Sequence, residues 1–324
     1  MPSSTPPKLP DLYVNDGQLP LGMTGLLKPT DPYSASVAEM RESLARDGYL
    51  FLKGLLPRED VLRTRERYFD MLSPTGILKP GTSEMDGIFD ASKDPGDYPG
   101  FGTGKPGTGT ALSDQFMTLA LQSHSQSWYK DDFCKHPAMI SFVEKLTGWG
   151  KNTGSLDRTL LRNNVPGNKA IGVHYDYIFL RHGDDSVITA WIPIGDVEVE
   201  GGGLIYLEKG HELGKHIEHE FTQSAISSGM TEEQARSAFN TNMMSGGVLD
   251  SGPISFGTKY QRRWLVSAYE AGDVVLHNSY MIHASTMNYD KENRIRLGTD
   301  LRFVDTSKVW DTRWAKVYED GDGL

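Results

Sequence analysis

A chain of 324 residues with 38% hydrophobic and 23% charged residues is long enough to bury a sizeable core, and its composition excludes collagen-like and disordered classes. Its formal charge of −10 argues against a protein that coats nucleic acid, which needs clustered Lys and Arg to neutralise phosphates, and favours a small neutral or cationic substrate. The single cysteine, Cys134, excludes an intrachain disulfide and a cysteine-based zinc cluster, so any metal has to be held by His and carboxylates.

Taken in chain order, residues 1–35 are Pro-rich and patternless, which predicts an extended arm. The opening "MPSSTPPKLP" lacks the apolar core of a secretory signal, and no later stretch approaches the roughly 20 apolar residues that span a bilayer. The C-terminal "DGDGL" is not a peroxisomal tripeptide either. The expectation is a cytoplasmic protein with no membrane partner, for which a homodimer is as compatible with composition as a monomer.

In "SVAEMRESLARDGYLFLKGLLPREDVL", Ser36 and Glu39 have capping-box spacing, Val37, Met40 and Leu44 share a helical face, and Gly48 sits past the helix end. A short strand from Tyr49 to Lys53 and a second helix from about Pro57 follow, predicting a helical layer against a sheet. Residues 73–114 then become rich in Gly, Pro, Asp and Thr. A connection that long is usually functional or mobile, and a lid is expected here, with Met85, Tyr98 and Phe101 as its apolar side chains. "PGFGTGKPGTG" within it is no phosphate loop, because Pro99 and Pro106 occupy the places that need Gly and Ser or Thr.

After a helix from about Pro137 to Leu146 the pattern turns to short strands. "RTLLRNNV", "AIGVHYDYIFLR", "SVITAWIPIGD", "GGLIYLEKG", "RWLVSAYEAGDVVLHNS", "MIHASTMN" and "RIRLGTDLRFVD" are rich in β-branched and aromatic residues and separated by turn residues. They predict a mainly β barrel or sandwich with flanking helices, interrupted by a polar helix-leaning insertion over 215–242. The whole reads as a single domain: an arm over 1–35, a helical layer over 36–150 with its lid at 73–114, and a β core over 151–324.

Strand alternation places His174 and Asp176 on one face, about 6 to 7 Å apart at the backbone, a spacing two ligands of one metal can use. An isolated HxD more often marks a solvated face. His283, in the strand–turn–strand "AGDVVLHNSYMIHASTMN", supplies a third candidate. Two His and one carboxylate leave adjacent positions open on an octahedral metal, as non-haem Fe(II) requires to hold a chelating cosubstrate and O2. Zinc more often takes a closed or three-His set. Arg294 and Arg296 share a face of the next strand, where either could hold a dicarboxylate bidentately, which points to 2-oxoglutarate.

These segments together resemble the phytanoyl-CoA dioxygenase family of Fe(II)/2-oxoglutarate oxygenases. "RDGYLFLKGLLP" is similar to its N-terminal helix, strand and helix, "TAWIPIGDVEVEGGGLIYLEKGH" to its central hairpin, and "GDVVLHNSYMIHASTMN" to its distal-His segment. The likeness runs in order from about Ser36 to Asp305, leaving the Gly-rich loop and the insertion unmatched. It implies a double-stranded β-helix (jelly-roll, cupin-like) core, with His174, Asp176 and His283 as iron ligands and Trp191 and Ser285 lining the cosubstrate pocket. Family spacing of 11 residues past the distal His gives Arg294 as anchor, whereas counting seven back from Phe303 gives Arg296. Arg296 is preferred, because the turn "YDKEN" can absorb extra residues and the strand pattern cannot.

The remaining residues have plainer expected roles. His182, His216 and His219 read as surface residues, His211 as a structural loop residue, and His277 as structural or adjacent to the ligands. Arg162 and Arg181 read as hydrogen-bonding braces, with a substrate clamp as the alternative, and Tyr175 and Tyr177 as core packing. The resemblance implies oxidative decarboxylation of 2-oxoglutarate coupled to C–H oxidation, most simply hydroxylation, with desaturation, epoxidation, ring expansion or endoperoxide formation open to the same ligands. Asp176 argues against halogenation, which needs Gly or Ala there. A small, largely apolar metabolite of secondary metabolism is the expected substrate. An acyl-CoA, whose charges call for a basic entrance, is the alternative, and beyond it stand a zinc or manganese hydrolase or isomerase and a non-catalytic barrel.

Overall fold

The computed structural model describes residues 9–100, 107, 109–240 and 248–317. Phe101, Gly104 and Lys105 of the Gly-rich loop, the last residues of the 215–242 insertion and the terminal "DGDGL" lie outside them.

The arm is not merely a lead-in. Tyr13–Val14 (β1) and Gly17–Gln18 (β2) pair with each other, Thr24–Leu26 (β3) pairs in parallel with a strand at Trp264–Val266, and Pro29–Thr30 (β4) pairs in parallel with Tyr49–Leu52 (β5). Strands of two or three residues are too short to show alternation, so distant partners, not local pattern, create them.

Between β4 and β5, Ser36 caps α1 (Val37–Asp47) with the reciprocal Glu39 bond, and Gly48 ends the helix at φ 79°. α2 (Arg58–Leu72) starts after Pro57. The described part of the expected lid is packed onto the body. Tyr98 is fully buried, edge-on to Phe89 and Phe116, and donates its hydroxyl to the Thr75 carbonyl at 2.9 Å. Tyr98 is therefore a core residue, because α3 (Ala111–Gln122) closes over it; Met85 is exposed. α4 (Pro137–Thr147) completes the helical layer.

The β-rich half comprises β6 (Thr153–Ser155), β7 (Leu160–Asn164), the single-turn α5 (Tyr177–Leu180), β8 (Ile188–Pro193) and β9 (Leu204–Leu207). α6 (Gly210–Ser227), α7 (Glu232–Asn240) and α8 (Pro253–Tyr260) follow, then β10 (Trp264–Val266), β11 (Val274–Asn278), β12 (His283–Ser285) and β13 (Arg296–Asp305). The helical insertion thus begins before the expected residue 215. One sheet has the order β12-β9-β10-β3; the seven-stranded sheet runs β4-β5-β11-β8-β13-β6, with β7 also on β13.

Alternation divides each sheet between two cores. Leu50, Leu52, Ala190, Ile192, Val274, Leu276, Leu297, Leu301 and Phe303 face α1 to α4, whereas Tyr49, Phe51, Trp191 and Val275 face Leu204, Tyr206 and Leu265 of the smaller sheet. The result is a mixed β core with flanking helices, and the site described below lies on the surfaces the two sheets turn towards each other.

One buried imidazole ties the helical layer to β7. His124 has its Nδ1 at 3.1 Å from the Leu121 carbonyl, and its Nε2 accepts the Leu161 amide at 3.0 Å, a pattern only the neutral ring can make. Burial pushes this imidazole down to about 4. Its stabilisation is complete above the unfolded value near 6.5 and is lost as pH falls towards the folded value, roughly 3 kcal/mol in all. Urea midpoints of the metal-free protein are expected to fall between pH 7 and pH 4.5, and His124→Gln to flatten that slope. An unchanged slope in the variant would remove His124 from the account.

Candidate metal centre

The HxD segment is not a strand in a ladder. His174 makes one isolated bridge to His283, donating its amide to the His283 carbonyl at 3.0 Å and receiving the reverse bond at 2.9 Å, and Val173 bridges Asp250. Asp176 then turns into the right-handed region as the residue before α5. Asp176 thus reaches the same place as His174 through a turn rather than by alternation, because the apolar run after it closes a helical turn on the core.

The backbone bridge brings the two imidazole centroids to 4.2 Å. Each ring is oriented in the same way: His174 Nδ1 lies 2.9 Å from the Gly172 carbonyl, and His283 Nδ1 lies 2.8 Å from the Met281 carbonyl. A carbonyl only accepts, so Nδ1 carries the proton in both and the lone pair resides on Nε2. Ligand atoms of His174, Asp176 and His283 all fall within 4.8 Å of one another, and all three residues are buried. Burial holds both imidazoles below their ordinary value, His283 well below it with His174 and His277 adding to the effect, so both are neutral as ligands must be.

Asp176 receives three donors. Thr189 donates to Oδ2 at 2.5 Å, His277 Nε2 lies 3.2 Å from the same oxygen, and Arg302 Nη2 donates to Oδ1 at 3.3 Å. Burial alone would raise this carboxyl, but Arg302, then His277 and His283, outweigh it and hold it well below the usual range. Oδ2 already has two donors, which leaves Oδ1 to meet a metal and favours one-oxygen ligation with neighbouring positions open. Tyr206 in turn lies 3.5 Å from His277 Nδ1, and the Arg302 guanidinium stacks 4.5 Å from the Trp314 ring.

From sequence His277 reads as structural or adjacent to the ligands, and the structure shows it beside them; Thr189 and Arg302 were overlooked. The signal was present in parity: Thr189 is two residues before Trp191 and Arg302 six after Arg296, and the register pairs Thr189 with both His277 and Arg302. Thr189→Val and Arg302→Leu are each expected to weaken Fe(II) binding by roughly 10–100-fold. Competition with a chelating dye measures this, and unchanged affinity in both would show that these two donors do not orient Asp176.

Of the other expected residues, Arg296 is buried on the inner face, with its Nε donating to the Gly202 carbonyl at 3.1 Å; burial lowers its guanidinium to about 10, still charged at neutral pH. Arg294 precedes β13, is partly exposed and is ion-paired with Asp290 and Glu292. Asn293, in the turn just before Arg294, sits at φ 59°. Trp191 is buried on the inner face, its indole packed so closely on Gly298 that a Cβ there would stand 3.1 Å from Nε1. Ser285 Oγ accepts the Ile171 amide at 2.9 Å, which leaves its proton to give.

His216 and His219 are exposed on α6, and His182 and His211 are partly buried. Arg181 is a brace, forming two 2.6 Å bonds to Glu218 of α6, and Tyr175 donates to the same carboxylate at 2.6 Å. Arg162 sits on the inner face opposite Gly298 of β13.

The sequence profile of a family described as "Phytanoyl-CoA dioxygenase (PhyH)" matches residues 44–295. The chain is 24% identical over 278 residues to 1-deoxypentalenic acid 11-beta-hydroxylase of Streptomyces arenae, covering 82% of each. Among solved structures it is similar to the non-heme alpha ketoglutarate dependent epimerase SnoN from nogalamycin biosynthesis, at TM-score 0.49 and 16% identity, over 85% of this chain and 84% of that one. The carbocyclase SnoK from nogalamycin biosynthesis matches at TM-score 0.48 and 16% identity, over 86% and 88%. No helix among the described residues is long and apolar enough to cross a membrane.

Proposed function

The chain belongs to the phytanoyl-CoA dioxygenase family of Fe(II)/2-oxoglutarate-dependent oxygenases, and from that premise we propose that it oxidises a C–H bond of a small, largely apolar metabolite of secondary metabolism, most simply by hydroxylation. The observation that carries the reading is the convergence of His174, Asp176 and His283, with both imidazoles fixed as Nε2 donors and the carboxylate held ionised. That donor set fits Fe(II): two neutral nitrogens and one oxygen, with room for a bidentate cosubstrate and O2. The two facing sheets read as halves of a double-stranded β-helix, and the chain as one domain whose 36–150 layer backs that core.

Held by these residues, Fe(II) with 2-oxoglutarate and O2 would supply the oxidising power for C–H oxidation, coupled to decarboxylation of 2-oxoglutarate to succinate. In this reading His174 and His283 give their Nε2 lone pairs, and Asp176 gives Oδ1 while Thr189 and His277 hold Oδ2. Arg296 takes the far carboxylate of 2-oxoglutarate, Ser285 donates its hydroxyl proton towards the cosubstrate, and Trp191 walls it from water. The hydroxylase activity in the name of the Streptomyces arenae relative supports hydroxylation as the outcome. The net charge of −10 disfavours an acyl-CoA with its several phosphates.

The test is anaerobic addition of Fe(II) and 2-oxoglutarate, followed by succinate release with a terpenoid and polyketide panel beside a set of acyl-CoA thioesters. A visible charge-transfer band and succinate stimulated by the panel are expected. Stimulation by the thioesters alone would overturn the substrate class, and absence of the band in metal-loaded protein would overturn the cosubstrate.

A further inference from the structure

Along β13 the residues Arg296, Gly298, Asp300 and Arg302 alternate onto the inner face, while Thr299 points the other way to Tyr129 of the helical layer, 2.6 Å away. Arg296 and Arg302 thus mark the two ends of one row, the first on the cosubstrate side and the second hydrogen-bonded to Asp176. Asp300 stands between them, directly across from Trp191 on β8.

Asp300 is unusual within its strand. Nine of the ten residues of β13 are buried and Asp300 alone is partly exposed. Among the described residues neither of its carboxylate oxygens receives a hydrogen bond, and Oδ1 is enclosed without any partner. Burial, and then the Asp176 carboxylate, raise the Asp300 carboxyl, while Arg302 and Arg162 draw it down. An acceptor left unsatisfied in such a place is costly, by about 1–3 kcal/mol and more when charged, unless a ligand completes it.

We propose that Asp300 is a specificity-determining residue that accepts a hydrogen bond from a hydroxyl group of the substrate, beside the C–H bond to be oxidised. The chemistry Asp300 asks for is an O–H or N–H donor. Arg162, Arg296 and Arg302 act on it, three positive charges against the one negative charge of Asp176, and that balance opposes an ammonium, so the neutral hydroxyl is the donor that fits. The substrate is then a largely apolar skeleton that already bears a hydroxyl, and an earlier oxygenation or carbonyl reduction must supply it. This inference rests on the oxygenase reading above.

The experiment uses the full chain loaded anaerobically with Fe(II) and 2-oxoglutarate, and a panel of terpenoid and steroid skeletons, borneol the simplest, each as alcohol, methyl ether and amine. Affinity is read from the perturbation of the charge-transfer band and, on metal-free protein, from ligand-detected saturation-transfer NMR. The wild type is expected to bind the alcohol roughly 10–100-fold more tightly than its methyl ether, which keeps the acceptor and loses the donor. Asp300→Asn and Asp300→Ser should bring the two close to parity while retaining the charge-transfer band, which shows that the metal site is still folded. Equal binding of alcohol and ether, no binding by any skeleton, preference for the amine, or preference unchanged in both variants would each overturn the assignment. Loss of the band in the wild type would instead strike the oxygenase reading itself.

Discussion

Replacing His283 by alanine is expected to abolish the visible charge-transfer band of the Fe(II)–2-oxoglutarate complex and to reduce Fe(II) affinity by more than the roughly 10–100-fold assigned to residues that only orient ligands. The backbone bridge between His174 and His283 is made by amides and carbonyls, so it survives in the variant and the fold should persist. Asp176→Ala is expected to give the same spectroscopic loss with a different stability signature. It removes the carboxylate hydrogen-bonded to the Arg302 guanidinium, which is 1% exposed, and breaking a buried pair in this way costs about 3–5 kcal/mol. Urea titration of the metal-free variants therefore separates them: His283→Ala close to the wild type, Asp176→Ala strongly destabilised. A band retained in either variant would remove that residue from the ligand set.

The second large effect concerns the two arginines. Arg296→Leu is expected to raise the dissociation constant for 2-oxoglutarate by roughly 10–150-fold, the range for losing hydrogen bonds to a charged group. Arg294→Leu should leave it near the wild-type value, because half-exposed pairs such as those with Asp290 and Glu292 contribute about 0–1 kcal/mol. Titration of the charge-transfer band gives both constants. A control compound sharpens the result: 2-oxopentanoate has no distal carboxylate, so Arg296→Leu should bind it no worse than the wild type does. If Arg294→Leu carries the large loss, the anchor is Arg294 and the strand-based preference fails.

Much of this site could be read from the chain. The helix cap at Ser36, the turn at Gly48 and the strand at Tyr49 are local patterns, and they fold as their residue types require. His174, Asp176 and His283 were recognisable as one set because metal chemistry restricts which residue types can serve and the family motif fixes their order. The preference for Arg296 drew on the length of a turn; in the structure Arg296 opens β13 and is buried, whereas Arg294 precedes the strand and is ion-paired with Asp290 and Glu292.

Other features were out of reach for definite reasons. The strands of the arm are made by partners more than 200 residues away in the case of β3 and β10, and Tyr98 passed for a loop residue because its cover, α3, follows it in the chain. The helical turn at Asp176 replaced the expected strand because the apolar run after it satisfies either period.

By itself the sequence determined which residues can bind the metal, since ligand chemistry resides in side-chain type. Only the tertiary structure decided how they are held. Thr189, His277 and Arg302 stand 13, 101 and 126 residues from the carboxylate they orient, and Asp300 is the one residue of β13 that is partly exposed. Parity along a strand fixes the face a side chain occupies; what it meets there depends on the register between strands, which long-range pairing sets.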